Sequence, residues 1–310
     1  MSGTPTTGNA TGFPEVITIG ETMVLVAPID AEPLATATAF RLDAGGAESN
    51  VASHLADLGI RAAWVSRLGD DVLGRRLERL LRGRLVDTSW VGVDDTAPTG
   101  VYFKDPGRGV HYYRAGSAAS QMNRATVNEV PLEQALIVHL SGITAALSAS
   151  CADLIDTVMT RVAAAATRLS FDINYRKTLW TPAQAVPVLA AAARRADVVM
   201  VGLDEARTLW GTSSAADVRA LFPDVPILVV KDGDIGATEY SPSGTTFVPA
   251  IATRVVEPVG AGDAFAAGYL NALLRDKSSA DRLRAGHQRA VLVLQSTTDF
   301  CVEPVLADSL

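Results

Sequence analysis

Short apolar runs along this chain alternate with longer stretches whose apolar residues recur at helical spacing. Val16–Gly20 predicts a first strand. From Ala47 the pattern turns helical: Val51, Leu55 and Leu58 recur at i, i+4 and i+7, and Gly59 follows as a stop. Ala62–Ser66 predicts the next strand, and Val72, Leu73, Leu77, Leu80 and Leu81 mark an amphipathic helix. Between Val86 and Ala119 the period changes to two. Gly100–Lys104 and Val110–Arg114 read as strands, and Asp105-Pro106-Gly107 between them reads as a turn, together an antiparallel hairpin. Alternation then resumes, with β-rich runs at Ile137–Leu140, Leu169–Ile173, Val198–Val201 and Ile227–Lys231. Helical stretches fall around 148–166, 182–195 and 203–222. Ala237–Tyr240 and Thr245–Val248, joined through Pro242-Ser243-Gly244, predict a second hairpin, and helices at about 263–275 and 279–295 close the chain.

Near-continuous apolar strands separated by helices predict an α/β fold with a mostly parallel sheet covered on both faces. The 310 residues leave room for two domains, yet no repeat or low-complexity linker divides them. Met1–Pro14 is Thr/Gly-rich, lacks the charged and apolar regions of a signal peptide, and reads as a disordered tail before one domain over 15–310. No apolar run reaches the roughly 18 residues of a membrane span. With Lys+Arg 27 against Asp+Glu 34, the net charge of −7 argues against nucleic acid or an anionic membrane as the main partner. Two cysteines, Cys151 and Cys301, form no disulfide framework, and the four histidines show no metal-ligand spacing. The expectation is a protein of the reducing cytoplasm. None of the lysines, Lys104, Lys177, Lys231 and Lys277, sits in the Gly-Lys-Ser/Thr triplet of a lysine-based phosphate loop.

Three segments carry candidate chemistry. In Glu257-Pro258-Val259-Gly260-Ala261-Gly262-Asp263, small residues precede an acid at the start of a helical pattern. Backbone amides and the helix dipole there make an anion hole without lysine, with Asp263 at its rim. The plainer alternative is a tight turn with Asp263 as N-cap. In Asp43-Ala44-Gly45-Gly46-Ala47-Glu48-Ser49-Asn50, Gly45 and Gly46 permit close backbone approach to a ligand and Asn50 offers an amide; helix capping explains the segment equally well. Asp172, Asn174 and Arg176 alternate beyond a strand end, where open α/β sheets place their ligand crevice. Arg176 there is either a clamp for carboxylate or phosphate or a salt-bridge partner of Asp172.

Together these segments resemble the PfkB (ribokinase-like) carbohydrate kinases: Gly45-Gly46-Ala47-x-x-Asn50 resembles the N-terminal signature and Gly260-Ala261-Gly262-Asp263 the C-terminal one. The resemblance covers Val16 to Pro304. Three features resemble the 2-keto-3-deoxygluconate kinase branch: Gly45-Gly46-Ala47-Glu48, the segment His111-Tyr112-Tyr113-Arg114 with Ser117-Ala118, and Asp172-x-Asn174-x-Arg176-x-x-Leu179-Trp180.

The resemblance implies a three-layer α/β/α sandwich with a small β lid, contributed mainly by about 21–42 and 86–119. It implies ATP-dependent phosphorylation of a sugar acid at its terminal hydroxyl, with ATP and Mg²⁺ as cofactors. Asp263 would be the catalytic base, the amides of Ala261, Gly262 and Asp263 would stabilise the transferred phosphoryl, and Gly260 would belong to the same catalytic segment. Gly45, Gly46, Asn50, Tyr102, Tyr112, Arg114, Arg176 and Asp299 would contact the substrate, and Arg binds carboxylates in a bidentate fork. Lys231, Gly233, Gly236 and His287 would contact the nucleotide, with Glu205 acting indirectly on the metal. Lid pairing would give a homodimer or larger homo-oligomer. The chain departs from the family pattern in four places. Gly202 stands for the Asn of an Asn-x-x-Glu segment, Glu257 for Asp, Thr298 for Gly, and Asp232 for an apolar residue of the nucleotide loop. A kinase for a neutral sugar such as ribose or fructose and a non-catalytic sugar-binding regulator remain alternatives. A nicotinamide dehydrogenase would need a glycine fingerprint where Gly20 is followed by Glu21-Thr22-Met23.

Overall fold

The computed structural model describes residues 12–30, 32–296 and 298–300. Most of the tail expected at 1–14, with Cys301 and the resemblance beyond residue 300, lies outside the described residues. The strands are β1 (Val16–Ile19), β2 (Met23–Pro28), β3 (Phe40–Gly45), β4 (Ala62–Gly69), β5 (Val91–Asp94), β6 (Val101–Asp105), β7 (Gly109–Tyr113), β8 (Ile137–Ser141), β9 (Arg168–Asp172), β10 (Val198–Gly202), β11 (Ile227–Asp232), β12 (Gly236–Ser241) and β13 (Gly244–Pro249). The helices are α1 (Ala47–Asp57), α2 (Val72–Gly83), α3 (Gly142–Leu147), α4 (Ala149–Ala163), α5 (Pro182–Ala193), α6 (Leu203–Trp210), α7 (Ala215–Leu221), α8 (Ala261–Leu274) and α9 (Ser279–Leu294).

A nine-stranded sheet runs β13-β12-β11-β10-β9-β8-β1-β4-β5. From β11 to β5 all neighbours are parallel; the expected second hairpin, β12–β13, adds two antiparallel strands at one edge. Alternate residues of each strand enter different cores. Val199 and Val201 join one face with Leu154, Leu189 and Val218 of α4, α5 and α7. Val198 and Met200 join the other with Leu55, Leu77, Tyr269 and Leu283 of α1, α2, α8 and α9. Burial on both faces explains why these strands read as unbroken apolar runs, and the arrangement is the α/β/α sandwich the sequence predicts.

A separate four-stranded sheet has the order β3-β2-β6-β7. The hairpin expected between Gly100 and Arg114 is β6–β7, with Tyr102 paired to Tyr112. The segments assigned to it shift at both ends: β3 runs on to Gly45, and β5, inside the 86–119 stretch, pairs with β4 in the large sheet. The single helix expected over 203–222 is two, because Gly211 ends α6 at φ 70 and Ser214 caps α7 afresh.

Candidate active site

The carboxyl ends of β9, β10 and β11 deliver Asp172, Gly202 and Lys231 to one cavity of about 510 Å³, where crevices of parallel sheets form. The first turn of α8 and the small sheet complete its walls. Of the residues singled out in the sequence, Gly45, Gly46, Asn50, Tyr102, Tyr112, Arg114, Arg176 and Asp299 line it. So do Glu205, Lys231, Gly233, Gly260, Gly262 and Asp263. Ala261, Gly236 and His287 do not. The His287 ring sits edge-on to Phe265, and its Nε2 lies 3.2 Å from the Val248 carbonyl, a packing role within the sandwich.

The start of α8 decides between turn and anion hole. Gly260, not Asp263, is the N-cap, held left-handed at φ 88. Asp263 lies in the first turn, half-buried, and its Oδ2 accepts from Asn50 Nδ2 at 2.9 Å. Desolvation by the surrounding walls, opposed by the Asn50 bond, pushes its pKa up to about 7. Asn50, read equally well as a helix cap, is thus spent on Asp263. The Ala261 N–H donates to the Pro258 carbonyl at 3.3 Å, whereas the N–H groups of Gly262 and Asp263 have no acceptor among the described residues. A Cβ built on Gly262 would meet nothing closer than Lys231 Nζ at 3.7 Å, so the space above these amides is open to a ligand. On the facing wall a Cβ on Gly46 would strike the backbone of Glu21 and Thr22, where α1 starts against the chain leaving β1.

The strand-end loop separates the two readings of Arg176. Asp172 pairs with Lys231, Nζ to Oδ2 at 2.9 Å, not with Arg176. Arg176 is exposed, lines the cavity, and pairs with no carboxylate among the described residues. Arg114, from the end of β7, pairs with Glu21, and its guanidinium lies 5.6 Å from the Tyr112 ring centre. Tyr112 in turn stacks on Tyr102 at 5.7 Å.

Glu205 sits at the start of α6 and accepts from the Gly202 N–H at 3.0 Å. Burial first, then the charge of Asp172, raises its pKa to about 7. The Gly202 departure has a local reason: a Cβ there would approach Asp204 Oδ1 to 2.5 Å, so Asp204 fills the space an asparagine side chain would take. No cluster of three or more His, Cys, Asp or Glu among the described residues makes a metal cage. Asp172 and Glu205 share the one ammonium of Lys231, and this carboxylate pair fits a magnesium ion that keeps its waters and arrives on phosphates.

Sequence reasoning missed three groups. Glu21 is buried, accepts from Ser117 Oγ at 2.7 Å and pairs with Arg114. Lys104 is buried against Asp299 at 2.7 Å. Glu48, quoted only for its likeness, is wholly buried and accepts from Ser141 and Thr144 at 2.7 and 2.9 Å, its pKa raised by desolvation. No helix among the described residues is long and apolar enough to cross a membrane.

Known proteins share this architecture and much of this sequence. The pfkB family carbohydrate kinase profile matches residues 14–301. A 2-dehydro-3-deoxygalactonokinase of Haloferax volcanii is 34% identical over 90% of this chain and 90% of its own. A 2-dehydro-3-deoxygluconokinase of Thermoproteus tenax is 34% identical over 83% of this chain and 81% of its own. Fructokinase-1 of Oryza sativa is 32% identical over 85% and 84%. A crystal structure of a PfkB protein from Polaromonas superposes with a TM-score of 0.85 at 36% identity, covering 91% of this chain and 96% of that one. By its match to the family profile and to these relatives, the chain belongs to the PfkB family of carbohydrate kinases and is an ATP-dependent sugar kinase.

Proposed function

We propose that the acceptor is a sugar acid phosphorylated at its terminal hydroxyl, 2-keto-3-deoxygluconate giving 2-keto-3-deoxy-6-phosphogluconate, with Mg²⁺ accompanying ATP. The observation that carries this reading is Arg176, an arginine on the cavity wall with no carboxylate partner among the described residues. A ligand carboxylate satisfies it in a bidentate fork; a neutral sugar supplies no such group. Arg114, which lines the same cavity from the end of β7, adds a second guanidinium. The two ketodeoxy-sugar-acid kinases at 34% identity support the same acceptor. The fructokinase at 32% favours the second reading, a neutral sugar.

The chain's own residues then do the following. Asn50 occupies one oxygen of Asp263 and leaves the other for the acceptor hydroxyl. As that hydroxyl attacks the γ-phosphorus of ATP, its proton passes to Asp263, and ADP leaves from the opposite side. The N–H groups of Gly262 and Asp263, with the positive end of α8, stabilise the charge on the phosphoryl oxygens. Mg²⁺, held through Asp172 and Glu205, would neutralise phosphate charge. Lys231, already bound to Asp172, places a further positive charge beside Gly262.

A panel of sugar acids and neutral sugars, followed by ADP release, tests the acceptor. Arg176→Met is expected to lower kcat/KM for the keto-acid roughly 10- to 100-fold, the worth of a hydrogen bond to a charged group. Its activity on neutral sugars should be little changed. Better turnover of fructose or ribose than of any acid by the wild type, with Arg176→Met indistinguishable from it, would remove the sugar-acid reading.

A further inference from the structure

Lys104 lies on β6 of the small sheet, is 5% exposed, and does not line the cavity. Its ammonium donates to Asp299 Oδ1 at 2.7 Å and stands 4.0 Å from Glu257 Oε2. Each of these two residues lies against the turn that opens α8. Glu257 Oε1 accepts the Val259 N–H at 3.1 Å, one residue before the left-handed Gly260. The backbone and Cβ of Asp299 lie 3.1–3.2 Å from where a Gly260 Cβ would stand.

We propose that Lys104 is a positioning residue for phosphoryl transfer: it holds the two carboxylates that brace the α8 turn and so ties that turn to the small sheet. A lysine so enclosed is costly unless paired, which fixes where its charge must go. The longer Glu257, where the family pattern has Asp, brings its carboxylate within reach of that charge. The inference rests on the kinase chemistry and not on the acceptor's carboxylate.

A purely structural anchor and a positioning residue differ in one respect, the ionisation of Asp299. Burial and the neighbouring Asp43 on β3 raise the Asp299 pKa, while Lys104 and the Tyr102 hydroxyl on β6 hold it down. Asp263 on α8 faces it as a like charge, Glu257 lies beyond the ammonium, and His54 on α1 bonds its backbone. Without the ammonium, Asp299 takes up a proton at higher pH.

The test measures kcat and KM across about pH 5 to 9 for wild type, Lys104→Gln and Lys104→Arg, with whichever acceptor the panel ranks first. A neutral-sugar result there leaves this experiment intact. Lys104→Gln should lower kcat roughly tenfold or more and move the acid limb of the kcat profile up by about one pH unit, with acceptor KM changed less than about threefold. Lys104→Arg should recover most of the kcat. An unchanged acid limb in Lys104→Gln, or a lower Tm with wild-type kcat, overturns the proposal. If Lys104→Gln does not fold, Lys104→Gln/Asp299→Asn is compared with Asp299→Asn alone; a folded double variant slower than Asp299→Asn supports the proposal and one with the same kcat overturns it.

Discussion

A carboxylate accepts a proton from an alcohol most effectively when its pKa lies near the working pH, and Asp263 is held there by its surroundings. With the pKa raised to about 7, the residue is inactive as a base when protonated, so kcat/KM should rise with pH through an inflection near neutrality. Asp263→Asn should lose kcat by roughly 10²- to 10⁴-fold and with it this limb of the profile. Stability carries the opposite sign. The folded pKa stands above the ordinary aspartate value of 3.8, so the folded state binds more protons between those values and loses stability as pH climbs through them. The Asn variant escapes that loss, and at pH 8 its Tm should exceed wild type by the equivalent of about 1–2 kcal/mol, the raised pKa being discounted for the half-buried setting. A Tm equal to or below wild type at pH 8, by calorimetry, would show that the carboxylate is not held above its ordinary range.

At the scale of an element, the two glycines at the start of α8, Gly260 and Gly262, are unequal. Gly262 has helical backbone, so Gly262→Ala should gain up to about 1 kcal/mol in stability from helix propensity. The added methyl stands over the free amides, and the variant should bind ATP at least about tenfold more weakly. Gly260 is left-handed and packed on Asp299, so Gly260→Ala should lose roughly 1–3 kcal/mol. Two alanines in one turn, one stabilising and one destabilising, check this by chemical denaturation; the same sign for both would contradict it. The same element shows what the sequence could reveal. The Gly-Ala-Gly-Asp run pointed to a ligand-facing helix start, because glycine, small residues and an acid before a helical pattern are a local signal. It did not show that Gly260 is the cap, nor that Ala261 gives its amide to Pro258, since both depend on the path of the preceding turn. Glu21, Lys104 and Asn50 find their partners 93, 195 and 213 positions away, and no local pattern announces such pairs. Periodicity recovered the strands of the large sheet that are buried on both faces, but it missed the edge strand β5, ran through Gly211 and fused two helices.

In the molecule as a whole, two walls of one cavity belong to different sheets. Gly45, Tyr102, Tyr112 and Arg114 come from the small sheet or its immediate ends, while Asp172, Lys231 and Gly262 come from the large sheet and α8. A ligand that touches both walls adds bonds between parts already joined at this cavity by Arg114 to Glu21 and by Asp299 to Lys104 and Tyr102. β7 is the most weakly held part of that arrangement: it is an edge strand, and its residues are largely exposed. Acceptor binding should therefore slow amide exchange in 101–113 by roughly tenfold or more, with β8 to β11 of the large sheet little changed, because those strands are already buried on both faces. ATP alone, whose phosphates meet α8, should protect 101–113 much less. Addition of the acceptor to the nucleotide-bound protein should then give the full effect, since the two ligands complete one enclosure. Hydrogen exchange followed by mass spectrometry separates these cases. Protection spread evenly over both sheets, or equal protection of 101–113 by nucleotide alone, would mean that the small sheet does not respond to the acceptor. The cavity wall that carries Tyr102 and Arg114 would then be a fixed surface, not one that tightens on its ligand.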